Sequence, residues 1–225
     1  MTIDLGVLIS GRGSNLAAIL DAIAAGSLDA RVRVVISNKA SAGGLEIARA
    51  AHVPTVVIPH GDHPDRQSFD AAVVAMLRAA EATCVVLAGF MRLVTPVLLD
   101  AFPYRVVNIH PSLLPAFTGV DAQAQALAYG ARITGCTVHL VDAGTDTGPV
   151  LAQAAVPIFD GDTRDALAAR ILVREHELLV RALGWLAAGL VEVEPGAAGM
   201  RPIVRVRGVE TAIGLAPAAT PEAAR

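Results

Sequence analysis

Short apolar runs alternate with longer segments in which Ala and Leu recur at helical spacing along this 225-residue chain. Several of the runs have the length and β-branched content of buried strands, and they cover residues 5–9, 32–37, 55–58, 84–88, 106–109, 134–141 and 150–157. The longer segments predict helices over residues 15–25, 44–51, 66–80, 95–101, 121–129 and about 163–188. Strands and helices therefore alternate through most of the chain.

The predicted strands are apolar along nearly their whole length. Such strands need cover on both faces, which helices between successive strands provide in a parallel sheet. We therefore expect an α/β fold, a Rossmann-like, mostly parallel sheet with helices on both faces. Only DAGTDTG, residues 142–148, joins the last two predicted strands, so an antiparallel element is expected near the C-terminal end of the sheet.

The length of the chain fits one α/β domain, or one such domain with a small addition. We expect the domain to occupy residues 1–190 and a C-terminal extension to occupy residues 191–225. Part of the extension is expected to be disordered, because its last segment, GLAPAATPEAAR, is rich in Ala and Pro.

The composition argues against several classes of partner. The net charge is -3, from 18 basic and 21 acidic residues with no block of either sign, so no nucleic acid or anionic membrane surface is expected as a partner. No run of about 18 apolar residues could span a bilayer, and the N-terminus lacks a signal-peptide pattern. Cys84 and Cys136 each lie in an apolar run, which favours reduced, buried thiols. A cytoplasmic protein is expected.

The first strand is followed by the glycine-containing turn SGRGSN. Gly11 and Gly13 permit a tight turn, and the amides of Gly13, Ser14 and Asn15 would open the next helix, where free N–H groups attract an anion. A dinucleotide fingerprint would need glycine in place of Leu16 and an acidic residue at the end of the second strand, and neither is present. Two interpretations stay open: a monophosphate site, or a turn in which Ser14 or Asn15 caps the helix.

Polar residues follow several predicted strands, where ligands of doubly wound folds bind. Asn108 and His110 end the fifth strand, and Asp146 lies in the loop after the sixth. A carboxylate beside a histidine stabilises the imidazolium, which suits a general acid, and an asparagine amide can donate to an oxyanion. The alternative for His110 is a loop histidine satisfied by backbone. His139 lies inside a strand, where a satisfied sheet residue is more common than a catalyst.

Five motifs occur in the order found in a known family: VLISGRGSNL, VLAGFMRLVTP, VVNIHPSLLPAFTG, GCTVHLVDAGTDTGPVLAQ and REHELL. Together they resemble the phosphoribosylglycinamide formyltransferases, the folate-dependent glycinamide ribonucleotide transformylases of purine synthesis. The resemblance implies that 10-formyltetrahydrofolate gives its formyl group to the amine of 5-phosphoribosylglycinamide, with Asn108, His110 and Asp146 stabilising the tetrahedral intermediate. It implies no metal.

The resemblance also implies two substrate sites. The ribonucleotide would contact Gly13, Ser14, Asn15 and Glu175. The folate would contact Arg66, Met91, Arg92, Leu93, Val94, Asn108, Val141, Asp142, Ala143 and Gly144. The chain departs from many relatives at Thr118, Asp121 and Leu172, which leaves the charge balance of the phosphate side open.

Three other functions compete with this interpretation. A formyltetrahydrofolate deformylase would use the same Asn-His-Asp set to pass the formyl group to water, but that family carries an additional N-terminal domain. A methionyl-tRNA formyltransferase would need an additional C-terminal domain and a basic surface. A non-catalytic nucleotide- or folate-binding module would not need the three polar residues together. A homodimer is a further expectation that the pattern does not test.

Overall fold

The computed structural model describes residues 2–196, 201–209 and 213–215. The strands are β1 Ile3–Ile9, β2 Ala30–Ser37, β3 Thr55–Val57, β4 Cys84–Leu87, β5 Val106–His110, β6 Ile133–Leu140, β7 Val150–Pro157, β8 Val191–Glu194, β9 Ile203–Val206 and β10 Ile213–Leu215. The α-helices are α1 Ser14–Ala24, α2 Gly44–Ala50, α3 Arg66–Ala79, α4 Pro96–Ala101, α5 Ala122–Tyr129 and α6 Arg164–Ala187. Each predicted strand and helix is present, with its ends shifted by at most two residues.

The main sheet has the order β10-β7-β6-β5-β4-β1-β2-β3. Strands β1 to β5 pair in parallel, whereas β6 pairs antiparallel with both β5 and β7. The predicted fold class, a mostly parallel sheet with an antiparallel element towards its C-terminal end, is confirmed. One detail was not predicted: the antiparallel region includes the β5 to β6 pair as well as the β6 to β7 pair.

Helices cover the sheet on both faces because the strands are apolar on both sides. One buried cluster joins α1, α2 and α6 to the sheet through side chains such as Leu16, Leu45 and Leu179. A second cluster packs α3 and α4 on the other face through Phe69 and Leu98. Among the residues described, no helix combines the length and the apolar content needed to cross a membrane.

The C-terminal extension contains structure that the pattern did not predict. Strands β8 and β9 form a separate two-stranded antiparallel sheet, and Val191, Val193, Val204 and Val206 pack against the main core. Strand β10 pairs in parallel with the edge strand β7. The Ala/Pro-rich tail that we expected to be frayed includes the end of β10, and its residues 216–225 lie outside the described part. The domain boundary at residue 190 stays a prediction.

The strand order creates a crevice at the carboxyl edge of the sheet. Strands β1 and β4 are neighbours, yet the chain continues from β1 to β2 on one side and from β4 to β5 on the other. The connections therefore diverge between β1 and β4, and such switch points are where doubly wound folds bind ligands. The glycine-containing turn after β1 and the segment after β4 border this crevice.

Adding a methyl group at Gly135 and at Gly184 should have opposite effects on the stability of the fold. A Cβ at Gly135 in β6 would lie 1.9 Å from the carbonyl oxygen of Ala154 in β7, whereas Gly184 in α6 has open space around that position. We expect Gly135→Ala to lower the thermal midpoint by roughly 2–12 °C, since overpacking costs about 1–3 kcal/mol. Gly184→Ala should raise it by roughly 1–4 °C, because alanine is the better helix former. Differential scanning calorimetry of the two variants measures both shifts, and an unchanged midpoint for Gly135→Ala would contradict the β6 to β7 register.

Candidate active site

Asn108 and His110 share one face of β5. They lie two residues apart on a strand, so their side chains point the same way. His110 ends the strand and is only 5% exposed. The carboxyl end of β5 lies at the same edge of the sheet as the ends of β1 and β4, because the three strands are parallel. The two residues therefore border the crevice, as their position at a strand end predicts.

Asp146 reaches this face by a route that the strand-end argument did not foresee. Because β6 runs antiparallel to β5, with Leu140 beside Val107, the carboxyl end of β6 lies at the opposite edge of the sheet. The loop after β6 folds back over the face that carries His110, and Asp146 adopts a left-handed backbone conformation with φ of 53°. The loop thus reaches the site by folding back over the sheet, and not because the carboxyl ends of β5 and β6 lie at the same edge.

Both ring nitrogens of His110 face oxygen atoms. Nδ1 lies 3.4 Å from Oδ2 of Asp146, and Nε2 lies 2.9 Å from the backbone carbonyl oxygen of Phe117. Two acceptors can both be satisfied only by the imidazolium, which carries two N–H donors. The same Oδ2 accepts the backbone N–H of Gly119 at 2.8 Å. His110 therefore has both the carboxylate partner and the backbone partner that the sequence left as alternatives.

His139 belongs to the same cluster, and sequence reasoning missed it. Its Nε2 lies 3.1 Å from Nδ2 of Asn108, and its Nδ1 lies 3.2 Å from the carbonyl oxygen of Leu140. Burial lowers the pKa of His139, so the ring is neutral, with a proton on Nδ1 and an acceptor at Nε2. His139 is cross-strand partner to Asn108. That pairing is the signal for its role, and it requires the register of β6.

The neutral His139 ring orients the Asn108 amide. Because Nε2 accepts, the nitrogen of the Asn108 side chain must point to it, and one N–H is used in that bond. The second N–H of the amide stays available for another acceptor. Oδ1 of Asp146 lies 3.7 Å from the same Nε2. Asn108, His110, His139 and Asp146 thus form one continuous polar cluster.

The turn after β1 has the features of an anion site. Helix α1 begins at Ser14, and Gly13 precedes it with φ of 84° and without a side-chain cap. The second open interpretation, in which Ser14 or Asn15 caps the helix, is therefore wrong, and the first amides of α1 are not bonded by a capping side chain. Gly13 must be glycine for a second reason, since its Cβ would lie 2.5 Å from the Cα of Gly44.

Glu175 connects this turn to the polar cluster. Its Oε2 accepts from Nδ2 of Asn15 at 3.0 Å, although the two residues are 160 positions apart. Glu175 is 8% exposed, and burial raises the pKa of its carboxyl, an effect that Asn15 and the nearby His110 oppose. Within the described part of the chain, Oδ1 of Asn15 is buried without a hydrogen-bond partner. The structure thus brings together Asn15 and Glu175, which the resemblance assigned to one substrate.

The segment after β4 offers exposed apolar surface beside the crevice. Met91 is 70% exposed and Leu93 51%, which is high for apolar side chains. The Arg92 guanidinium lies 5.2 Å from the ring centre of Phe69, a cation–π contact. Next in the chain, Thr95 donates its backbone N–H to the buried Asp70 at 2.5 Å. A flat, partly apolar ligand would suit such a surface.

The remaining predicted folate residues differ in how closely they approach the polar cluster. Arg66 is the exposed first residue of α3, and no hydrogen bond described in residues 2–196 joins it to the other site residues. Val141 donates its backbone N–H to the Val106 carbonyl, next to Asp142, Ala143 and Gly144. Oδ1 of Asp142 accepts from the Gly144 N–H at 3.1 Å, which shapes the start of the loop.

Two of the three departures from the family pattern have structural partners. Asp121, which precedes α5 in a left-handed conformation, accepts from Nε of Arg164 at 2.7 Å. The carbonyl oxygen of Thr118 accepts from Nε2 of Gln125 at 3.0 Å. Leu172 lies half-buried on α6, one helical turn from Glu175. The Asp121 side chain thus makes an exposed ion pair, whereas the Thr118 contact uses only its backbone and does not depend on the side chain at that position.

The cysteines are not suited to nucleophilic chemistry. Burial raises the pKa of both Cys84 and Cys136 to about 12, so both remain thiols at neutral pH. Across the residues that the structure describes, no group of three or more His, Cys, Asp or Glu side chains could hold a metal ion. The side chains of the polar cluster offer imidazole, amide and carboxylate groups, which can form hydrogen bonds and transfer protons.

Comparison with known proteins agrees with this geometry. A phosphoribosylglycinamide formyltransferase of Mycobacterium tuberculosis is 50% identical over 189 residues, which are 84% of this chain and 87% of that protein. The trifunctional purine biosynthetic protein adenosine-3 of Drosophila pseudoobscura is 47% identical over 187 residues, and the chain spans only 14% of that longer protein. The crystal structure of glycinamide ribonucleotide transformylase 1 from Symbiobacterium toebii has a TM-score of 0.87 and 48% identity, over 91% of this chain and 94% of that chain.

The family comparison is equally direct. The formyl transferase family matches residues 4–183, which include the whole polar cluster and the turn after β1. The resemblance seen in the sequence motifs is thereby confirmed. The chain belongs to the formyl transferase family.

Proposed function

We propose that this chain transfers the formyl group of 10-formyltetrahydrofolate to the amine of 5-phosphoribosylglycinamide, a reaction of purine biosynthesis. The bacterial relatives named phosphoribosylglycinamide formyltransferase support the transfer of a formyl group to this acceptor. One structural observation carries the proposal: Asn108, His110, His139 and Asp146 meet beside an uncapped helix N-terminus and a buried glutamate. A transfer enzyme needs those two parts together, the first for the formyl group and the second for the acceptor.

The ribonucleotide is assigned to the turn after β1. The amides of Gly13, Ser14 and Asn15 would bind its phosphate, since free N–H groups and the dipole of α1 favour a dianion. Glu175 would accept hydrogen bonds from the ribose hydroxyls. Within the described residues, Oδ1 of Asn15 is buried without a partner, which supports the ribose part of this assignment, because a buried acceptor is costly until a donor such as a ribose hydroxyl reaches it.

The folate is assigned to the segment after β4 and to the loop after β6. The exposed side chains of Met91 and Leu93 would contact its ring system. Arg92 and Val94, which belong to the same segment, would contact it as well. The residues Val141 to Gly144 would border the other side of the ring. Arg66 is retained as a contact to the anionic tail, which its exposed position at the start of α3 supports.

The cluster suits direct attack of the amine on the formyl carbon. Negative charge then develops on the formyl oxygen and needs donors that are already in position. The free N–H of Asn108 is one donor. The second is Nε2–H of His110, which in the free protein donates to the Phe117 carbonyl. An anionic oxygen is a stronger acceptor than a neutral carbonyl, so the bond can change partners as charge develops.

Proton transfer and alignment complete the reaction. Asp146 faces Nδ1 of His110 and balances the charge of the imidazolium while Nε2–H donates. The tetrahedral intermediate then collapses, and the bond from the formyl carbon to the folate nitrogen breaks. The amine must lose a proton and the folate nitrogen must gain one, which His110 or a water molecule in the cleft can relay. No covalent bond to the protein forms. Alignment of two bound substrates alone can supply on the order of 7–11 kcal/mol of the barrier.

The alternatives explain fewer features of the cleft. A deformylase would use the same cluster with water as acceptor, but it would not need the anion site of α1 or Glu175. A binding module would not need a neutral histidine that orients an amide donor. The homodimer stays a prediction.

We expect the purified chain to convert 10-formyltetrahydrofolate to tetrahydrofolate only when 5-phosphoribosylglycinamide is present. The turn after β1 is built for that second substrate, so the acceptor should be the ribonucleotide and not water. Absorbance of the folate product and mass spectrometry of the formylated ribonucleotide measure both halves of the reaction. His110→Ala is the inactive control, with a loss on the order of 10²–10⁴ in rate. Equal folate turnover without the ribonucleotide would instead identify a deformylase.

His139→Ala should lower kcat by about tenfold or more while the KM values change little. The variant removes the acceptor that orients Asn108, and loss of one oxyanion donor costs about 10²–10³ in kcat. Thr134→Val is the matched control, since Thr134 is buried on the same strand and its hydroxyl is unpartnered within the described residues. Steady-state kinetics of both variants decide the point. Equal kcat values would show that Asn108 needs no support from His139.

Glu175→Gln should change how stability depends on pH. Because burial raises the pKa of Glu175, the folded chain holds this proton more tightly than the unfolded chain, and the contribution to stability is lost as pH rises above about 4.5. The glutamine variant lacks this loss. Its thermal midpoint relative to the unsubstituted chain should therefore increase as pH rises from 4, below the ordinary glutamate value, to 8, measured by calorimetry at matched ionic strength. A constant difference across that range would contradict the raised pKa.

A further inference from the structure

A buried serine spans the crevice between β1 and β4. Ser10 follows β1 directly, and the phosphate turn begins at the next residue, Gly11. The backbone N–H of Ser10 donates to the Gly89 carbonyl at 3.1 Å. Its hydroxyl oxygen accepts the backbone N–H of Met91 at 2.9 Å. Two hydrogen bonds thus join the end of β1 to the segment that carries Met91.

A hydrogen bond to Asn38, the residue after β2, fixes the orientation of the serine hydroxyl. Ser10 donates its hydroxyl proton to Oδ1 of Asn38 at 2.7 Å, and Asn38 follows the end of β2. Nδ2 of Asn38 in turn lies 3.4 Å from Nδ1 of His60. Ser10 and Asn38 are only 5% and 4% exposed, so water does not readily replace these bonds. The hydroxyl therefore has one orientation, with its oxygen directed at the Met91 N–H.

We propose that Ser10 is a positioning residue that holds the folate segment, Met91 to Val94, at a fixed distance from the phosphate turn, Gly11 to Asn15. This inference rests on the proposed function, which assigns one substrate to each of those segments. Ser10 contacts neither substrate through its side chain, because its hydroxyl is used by Asn38 and Met91. Its effect is on alignment, and misplacement of a bound substrate by about 1 Å can cost on the order of 10² in rate.

The folate side should depend on Ser10 more than the ribonucleotide side. The phosphate turn has a second support, since Gly44 donates its N–H to Gly11 and packs on Gly13. The exposed Met91 has the serine hydroxyl as its described link to β1. Loss of the hydroxyl should therefore let Met91 shift at the start of the folate segment, while the bond from Thr95 to Asp70 still holds the far end, and it should leave the phosphate turn in place.

The test compares Ser10→Ala with Ser37→Ala. Ser37 is a matched control, because it is the last residue of β2, is fully buried, and has a hydroxyl that donates one hydrogen bond and accepts another, both with the backbone of Lys39. We expect Ser10→Ala to raise KM for 10-formyltetrahydrofolate by about tenfold and to lower kcat, with KM for the ribonucleotide within about twofold. Ser37→Ala should lower the thermal midpoint without changing either KM.

A binding measurement separates this inference from the proposed function. Titration calorimetry with tetrahydrofolate should show weaker binding to Ser10→Ala than to Ser37→Ala by a similar factor. If the unsubstituted chain transfers no formyl group, the proposed function fails and this inference fails with it. If the unsubstituted chain is active and the two serine variants have the same folate KM and the same affinity, the inference alone is overturned.

A second variant keeps the test decisive if Ser10→Ala does not fold. Asn38→Ala removes the acceptor that orients the hydroxyl, so it should raise the folate KM in the same direction by a smaller factor. When both single variants fold, the double variant should raise the folate KM by less than the product of the two single effects, because both act through one hydrogen-bonded pair. Multiplicative effects, or an unchanged folate KM in Asn38→Ala, would contradict the mechanism.

Discussion

The position of one carboxylate, Asp146, determines the arrangement of the polar cluster. Its Oδ2 faces Nδ1 of His110 and accepts the N–H of Gly119, while Oδ1 lies near Nε2 of His139. These contacts fix the relative positions of three segments: the loop after β6, the end of β5 and the segment around Gly119. A carboxylate in this partly buried position is stabilised only by donors, so the loop and the histidines are mutually dependent.

Two chemically similar rings acquire different roles from their surroundings. His110 has an oxygen at each nitrogen and suits the charged form that donates to an oxyanion. His139 is enclosed in the sheet, where burial favours the neutral form, and its lone pair orients Asn108. The cluster thus combines a ring with an oxygen atom facing each nitrogen and a neutral ring that accepts at Nε2, and the distinction comes from the partners of each ring rather than from residue type.

The periodicity of the sequence was enough to predict each strand and helix of the α/β domain, because apolar runs and helical spacing are local properties of the chain. Asn108 and His110 could be found because polar residues at the end of a buried strand are unusual. His139 could not be found, since its role depends on which residue of β5 lies opposite to it. The two-stranded sheet of β8 and β9 was also missed, because its strands are short and half of their positions are only partly buried while the other half are exposed.

By itself, the sequence determined the fold class, the elements up to α6 with their ends to within two residues, the glycine-containing turn and, through its motifs, the family. The tertiary structure alone decided how the distant parts meet. It placed Glu175 of α6 against Asn15, Ser10 against Met91, and Asp146 against His110 by a loop that folds back over the sheet. These contacts depend on the direction and register of strands far apart in the chain, and no local pattern of hydrophobic and polar residues encodes either.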